Sequence, residues 1–315
     1  MIAVSTFRAF LEAEFPGAGI SEISGSNNLV YRVESTDGVV VAKHVTDSDI
    51  PLTWLAEANA RLADELPVQR ILRVFETGRG DPFDAVFAEY VEGRNLATAL
   101  VDSDGAPSTD ELVSHLCRFA LACRELPRMH EGFGLYKREA PVIDGHREFV
   151  EHYARRYWGR ARPFYAGTRV GAAVDAWLSG GFAAATARHP APYTTVAIDA
   201  NLKNFVVTPD RRIVVLNVPI AGRSTPAHAV GAISAHLRNR EQHAPFLAAA
   251  AEAVCPDDAE LVPHFELWAL LGILSFYAVR EPERQHEWRN WGSPVTLDED
   301  FRALVETHIA PLAAR

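Results

Sequence analysis

The stretch from Val196 to Val207, with Ile213 to Gly222 behind it, sets the frame of this chain. It reads as a short loop, a strand, a turn at Pro209-Asp210-Arg211-Arg212, and a second strand ending at Asn217. Two apolar β-branched runs around a polar turn make a hairpin. Such a hairpin holds Asp199, Asn204 and Asn217 close together: an aspartate, an asparagine five residues on, and a third oxygen donor beyond the turn.

Phosphoryl transfer uses a set of this kind. It needs an acceptor near the attacking hydroxyl and hard oxygen ligands for Mg2+ between the phosphates. Asp199 is the candidate to take or orient the hydroxyl proton. Asn204 offers a carbonyl oxygen to a metal, and Asn217 holds the third position, where an acidic residue is usual. A plainer reading stands beside this one: Asp199 and Asn204 are turn residues whose side chains satisfy nearby backbone groups.

The rest of the chain bears on that choice. With 315 residues, 48% of them hydrophobic, it can build one large two-lobed domain or two small ones around a real core. No run of 18 apolar residues and no signal-peptide pattern is evident, so a cytoplasmic protein without a membrane span is expected. Cys117, Cys123 and Cys255 form no CxxC pair and are expected as buried free thiols. The net charge of −10 argues against a nucleic-acid partner and allows attraction of a cationic small molecule. The only lysines are Lys43, Lys137 and Lys203.

Ser5 to Glu14 has the spacing of an amphipathic helix, with Phe7, Phe10 and Leu11 on one side. The small polar turn Gly25-Ser26-Asn27-Asn28 runs into a strand up to Val33. After Thr36-Asp37-Gly38, Val39 to Val45 forms a second strand. These two strands and the turn before them could cover a nucleotide phosphate chain. Lys43 closes the second strand and needs an anion if buried; otherwise it is an edge lysine reaching water. Glu57, on a helix from Trp54 to Leu66, is its available carboxylate. Two more strands, Arg70 to Gly78 and Ala85 to Tyr90, precede a break at Val91-Glu92-Gly93, and helical sequence dominates from Leu96.

In order and spacing, these pieces resemble the aminoglycoside phosphotransferase and choline kinase family. The matching segments are Gly25 to Val33, Val41 to Lys43, Glu57, Phe87 to Gly93, Met129-His130 with Gly132-Phe133-Gly134, and Asp199 to Asn204. The resemblance implies a bilobal protein-kinase-like α+β fold. Residues 1–91 would form an antiparallel-sheet N-lobe and residues 92–315 a mainly helical C-lobe. It implies ATP and Mg2+ as cofactors. Gly25, Ser26, Asn28, Lys43, Glu57 and Lys203 would lie at the phosphates, the backbone from Glu89 to Val91 would hold adenine, and Asp199 would serve the acceptor hydroxyl. Asn204 and Asn217 would face the metal, and His130 would be structural.

The implied acceptor is a small molecule, antibiotic-like, or a Ser or Thr of a precursor peptide in a tailoring pathway. The aromatic, arginine-rich segment from Val142 to Phe182 either borders the acceptor or fills the core, and its Arg155, Arg156, Arg160 and Arg162 form a solvated face or hold an anionic substrate. His286, Trp288 and Trp291 are further acceptor-site candidates. Phe265 to Val279 is expected to pack under the hairpin.

The chain departs from the family pattern at three places. Ala197 replaces a histidine, Ala200-Asn201-Leu202-Lys203 replaces a Leu-His-Pro-Gly type turn, and Asn217 replaces the metal-binding aspartate. Losing that charge weakens a divalent-ion site. Three explanations stand: an engineered change, a natural enzyme in which Lys203 supplies positive charge, or a silent pseudokinase that binds nucleotide or a protein partner.

Overall fold

The computed structural model describes residues 4–23, 29–45, 50–102, 105–187, 192–280 and 295–313. Gly25, Ser26 and Asn28 of the expected phosphate turn, and His286, Trp288 and Trp291, lie outside the described residues.

Helix α1 (Val4–Glu14) leads into β1 (Gly19–Ile23), β2 (Leu29–Ser35) and β3 (Gly38–His44). Helix α2 (Leu52–Glu65) follows, then β4 (Ile71–Phe75) and β5 (Ala85–Glu89). The five strands form one antiparallel sheet in the order β1-β2-β3-β5-β4. The period of two along each strand divides its side chains. Tyr31, Val33, Ala42, Phe75, Ala85 and Phe87 turn to one face and bury Phe7 and Leu11 of α1. Val41, Lys43, Val86 and Ala88 alternate with them and turn to the other, which looks at the rest of the molecule. β1 went unnoticed in the sequence because Gly19-Ile20-Ser21-Glu22-Ile23 is short and largely exposed.

The connection after β5 passes close against the hairpin. At Gly93 φ is 158°, and a Cβ there would stand 2.4 Å from Val206 Cγ1 and from Val207 O. Only a glycine lets the two backbones approach this closely. The remainder is mostly helical: α3 (Leu96–Asp102), α4 (Thr109–Ala122), α5 (His146–Ala161), α6 (Arg169–Ala176), α7 (Phe182–Ala187), α8 (Pro226–Leu237), α9 (His243–Ala253) and α10 (Val262–Arg280). The N-terminus of α4 carries a reciprocal cap between Ser108 and Glu111. Helix α2 has no side-chain cap of its own. Instead the buried Glu76 accepts from Leu52 N–H at 2.8 Å and pairs with Arg138 at 3.0 Å, tying the helix start to the helical part of the chain.

Two short sheets sit between these parts. β6 (Arg94–Asn95), β8 (Phe205–Val207) and β9 (Ile213–Val215) form one; β7 (Thr194–Asp199) and β10 (Ile220–Ser224) form the other. The expected hairpin is β8–β9, closed at Thr208–Arg212 with Arg211 in the left-handed region at φ 64°. The segment expected as a loop before it is a strand, β7, and Gly222 belongs to its partner β10 rather than to the hairpin. Helix α10 packs on α8 and α5, and α8 packs on β7. It therefore reaches the hairpin region through α8, not directly, because α8 already occupies that side of β7. By length and composition Ala259–Tyr277 could cross a membrane, with a hydropathy of 1.3, and 67% of that window is buried inside the protein. That burial marks it as a core helix. Cys117, Cys123 and Cys255 are buried free thiols.

Candidate active site

Asp199 stands where β7 ends. Thr195 to Ile198 are all buried, and Asp199 is the first side chain of the strand to reach solvent. Asp199 pairs with Ile220 and Ala197 with Ala221, so the register shifts there and Ile198 is the extra, bulged residue of β7. Such bulges bend a strand and re-aim its side chains. Crowding by the surrounding protein raises the Asp199 carboxyl pKa above its ordinary value, while the Asn201 backbone N–H and Lys137 pull it down. The carboxyl is thus open at its tip and enclosed around its base.

A single turn of 3-10 helix, Leu202–Asn204, carries the chain from Asp199 into the hairpin. Asn201 starts it by accepting from Lys203 N–H at 3.0 Å. Asn95 Nδ2 donates to Lys203 O at 2.8 Å, locking this turn to the start of α3. Leu216 N–H donates to Asn204 O at 2.7 Å. Asn204 and Asn217 therefore meet across the hairpin, and Asn217 Nδ2 donates to Asn204 Oδ1 at 3.1 Å.

Lys43 reaches this pair from the five-stranded sheet. Its Nζ donates to Asn217 Oδ1 at 2.8 Å and to Gln69 Oε1 at 3.1 Å. Glu57, the expected partner, is exposed on α2. The pairing with Lys43 is not formed, because the inward places near the ammonium are taken by Gln69 and Asn217. Buried with no counter-charge, Lys43 is lowered from 10.5 to about 8. Gln69 Nε2 donates in turn to Glu89 O at 2.6 Å. The Val91 N–H makes no hydrogen bond among the described residues. A cavity of about 270 Å³ opens beside this chain, lined by Lys43, Asn59, Gln69, Val86, Lys137 and Asn217 among others. The Lys203 side chain is exposed and does not line it.

The structure thus brings Lys43, Asn204 and Asn217 into one chain of contacts that runs on to the Glu89 carbonyl, with Asp199 at the end of the neighbouring strand. The sequence reading missed Gln69 and Asn59 and did not place Lys137. A glutamine flanked by Pro67-Val68 and a strand carries no motif; its rarity at the edge of an apolar run was the one available signal.

Asn217 Oδ1 already accepts from an ammonium, and Asn204 Oδ1 already accepts from an amide. Among the described residues no three His, Cys, Asp or Glu side chains gather as a metal site. A hard divalent ion favours carboxylate oxygens. The expected ligands Asn204 and Asn217, as arranged, do not fit a resident ion. Both are neutral amides, and the Lys43 ammonium already engages the Asn217 oxygen.

The architecture is the bilobal protein-kinase-like α+β fold, with an antiparallel sheet toward the N-terminus and helices dominating the remainder. Within that class, the protein resembles aminoglycoside phosphotransferases and choline kinase-like proteins along its whole length. Aminoglycoside phosphotransferase APH(4)-Ia is similar with a TM-score of 0.69 at 15% identity, covering 97% of this chain and 99% of that one. A choline/ethanolamine kinase family protein from Mesorhizobium loti gives 0.61 at 17% identity, over 98% and 97% of the two chains. Choline kinase LicA from Streptococcus pneumoniae gives 0.57 at 12% identity, over 99% of each. Thermostable mutants of APH(4)-Ia form ternary complexes with hygromycin B and either ADP or AMP-PNP. The sequence matches no protein-family model and no curated protein. At these identities the likeness establishes the fold alone.

Proposed function

We propose that the protein is an ATP-dependent phosphotransferase acting on a hydroxyl. The observation that carries this reading is the Lys43–Asn217–Asn204 chain of contacts beside a cavity whose lining includes Ile220, the strand partner of Asp199, and Lys137, whose charge acts on Asp199. Triphosphate oxygens would displace Asn217 from Lys43 and take its ammonium. Asp199 would accept the proton of the acceptor hydroxyl as that oxygen bonds to the γ-phosphorus. The bond from the γ-phosphorus to the bridging oxygen breaks, and ADP leaves. The free Val91 N–H would read the base edge.

Charge narrows the acceptor. Tyr157 on α5 lies in the field of Asp199 on one side and of Arg156 and Arg160 on the other, and Lys137 acts on Asp199 itself. Neither Arg156 nor Arg160 makes an ion pair among the described residues. This basic surround favours a neutral or anionic acceptor over a polycation, despite the net charge of the chain. A small hydroxylated molecule and a Ser or Thr of an acidic peptide both meet that requirement.

Calorimetry with AMP-PNP, followed by ADP release in the presence of hydroxylated acceptors, tests the reading. Binding with turnover that depends on Asp199 supports it; absence of nucleotide binding sinks it. The neutral amides at Asn204 and Asn217 favour a second reading, in which nucleotide binds without turnover. Binding with no ADP release for any acceptor would select that one.

A further inference from the structure

Gln69 is 4% exposed and is held from two sides. On the hairpin side, Val215 N–H donates to Pro67 O at 3.0 Å and Gln69 N–H donates to Val215 O at 2.8 Å. On the α2 side, Asn59 Nδ2 donates to Gln69 O at 2.9 Å, and Asn59 Oδ1 accepts from Ile71 N–H at 2.9 Å. The backbone of Gln69 is therefore fixed, and its amide faces the cavity.

The amide is used at both ends. Oε1 accepts from Lys43 Nζ at 3.1 Å, and Nε2 donates to Glu89 O at 2.6 Å. Its orientation is forced. A flipped amide would set a donor against the ammonium and an acceptor against the carbonyl. One side chain thus links the sheet lysine, the connection between the two parts of the chain, and the hairpin.

We propose that Gln69 is the positioning residue for Lys43, standing in for the carboxylate expected on α2, and that it holds the ammonium without neutralising it. The inference rests on the nucleotide reading above for its purpose. An amide oxygen orients an ammonium yet leaves its charge free for triphosphate oxygens; a carboxylate would compete with them. The residues lining the cavity bear this out chemically. Lys43 and Lys137 are the only titratable side chains among them, and both are cationic. The remaining lining from α2, β4, β5 and the chain after β9 is apolar or amide.

The test reads the Lys43 side chain directly. With three lysines in the chain, 13C-lysine labelling gives three assignable side-chain signals. Gln69→Met removes the oxygen that accepts from Lys43 Nζ and is expected to shift the Lys43 signal while that of Lys203 stays. Gln69→Glu keeps an acceptor there and competes with the phosphate oxygens. AMP-PNP affinity is expected to fall by about tenfold in either variant, the effect of losing one favourable charged contact. An unmoved Lys43 signal in the folded Gln69→Met variant, or unchanged AMP-PNP affinity in both variants, overturns the proposal. If the wild type binds no nucleotide, the functional reading fails, while the Lys43 signal still judges the role of Gln69.

Discussion

Lys43 Nζ lies 2.8 Å from Asn217 Oδ1, and the other end of the same amide donates to Asn204 Oδ1 at 3.1 Å. An aspartate could accept from Lys43 but could not donate to Asn204. The asparagine makes both contacts at once, where an aspartate would need the Asn204 amide to turn its Nδ2 toward it.

Asn217→Asp restores a negative charge beside Lys43 and creates a hard metal ligand. Magnesium-dependent affinity for AMP-PNP is expected to rise by about tenfold, equivalent to ~1.4 kcal/mol, measured by calorimetry with and without the ion. Equal affinities for wild type and variant under both conditions would show that Asn217 does not face the phosphates.

Asp199→Asn removes the proton acceptor and keeps the shape. Turnover is expected to fall by about 10²–10⁴, with nucleotide affinity unchanged. In the wild type, activity falls as pH drops through the raised Asp199 value, since the ionised form is the base. Stability moves oppositely. A carboxyl raised by burial favours the fold when protonated and loses that contribution as pH rises through the folded value. Asp199→Asn is thus expected to melt higher than wild type at pH 7, with the difference vanishing below about pH 3.9, the ordinary aspartate value. Coincident melting curves at both pH values would remove the enclosed carboxyl from the account.

Lys43→Met isolates the second shifted group. A lysine lowered to about 8 favours the fold when neutral. Between about 8 and the ordinary value near 10.5 the unfolded chain holds a proton that the folded one has lost, so stability rises with pH in that window. Wild type is expected to gain on Lys43→Met across this interval and to show no relative change below it, by denaturant unfolding at stepped pH. Parallel curves throughout would count against the lowered value.

Gly93→Ala tests the close passage behind the cleft. The new Cβ would meet Val206 Cγ1 and Val207 O at 2.4 Å, and the latter is backbone that cannot yield cheaply. A loss of about 1–3 kcal/mol is expected from overpacking alone, read from the urea midpoint. An unchanged midpoint would mean that the connection can move away from the hairpin.

Arg156→Glu with Arg160→Glu reverses the charge beside Tyr157. The KM for an anionic acceptor is expected to rise by about tenfold, roughly the effect of losing one favourable charge contact. The KM for ATP should not move. A shift in the ATP value instead would relocate these arginines to the nucleotide side.

Much of the arrangement could be read in advance where it depends on local pattern. The β8–β9 hairpin, the strand carrying Lys43, and the apolar stripe of α1 each follow from periodicity and turn residues within about ten positions. The position of Asp199 at a strand end was not legible, since β7 read as a loop. Its pairing with β10, twenty-one residues later, is set by a bulged contact that no local period announces.

What the amino-acid order determined by itself was the set of elements and the identity of the groups available: one lysine on the sheet, one aspartate and two asparagines near a hairpin. Which of these would touch was decided by tertiary packing. Glu57 was the partner expected for Lys43, by its charge and its place on the next helix, and nothing in the sequence marked Gln69 for that role. The helix α2 turns Glu57 outward and Asn59 inward, and Asn59 fixes the backbone of Gln69 against the hairpin. An ammonium bonds to the oxygen that the packed backbone delivers within reach, so distance overruled charge.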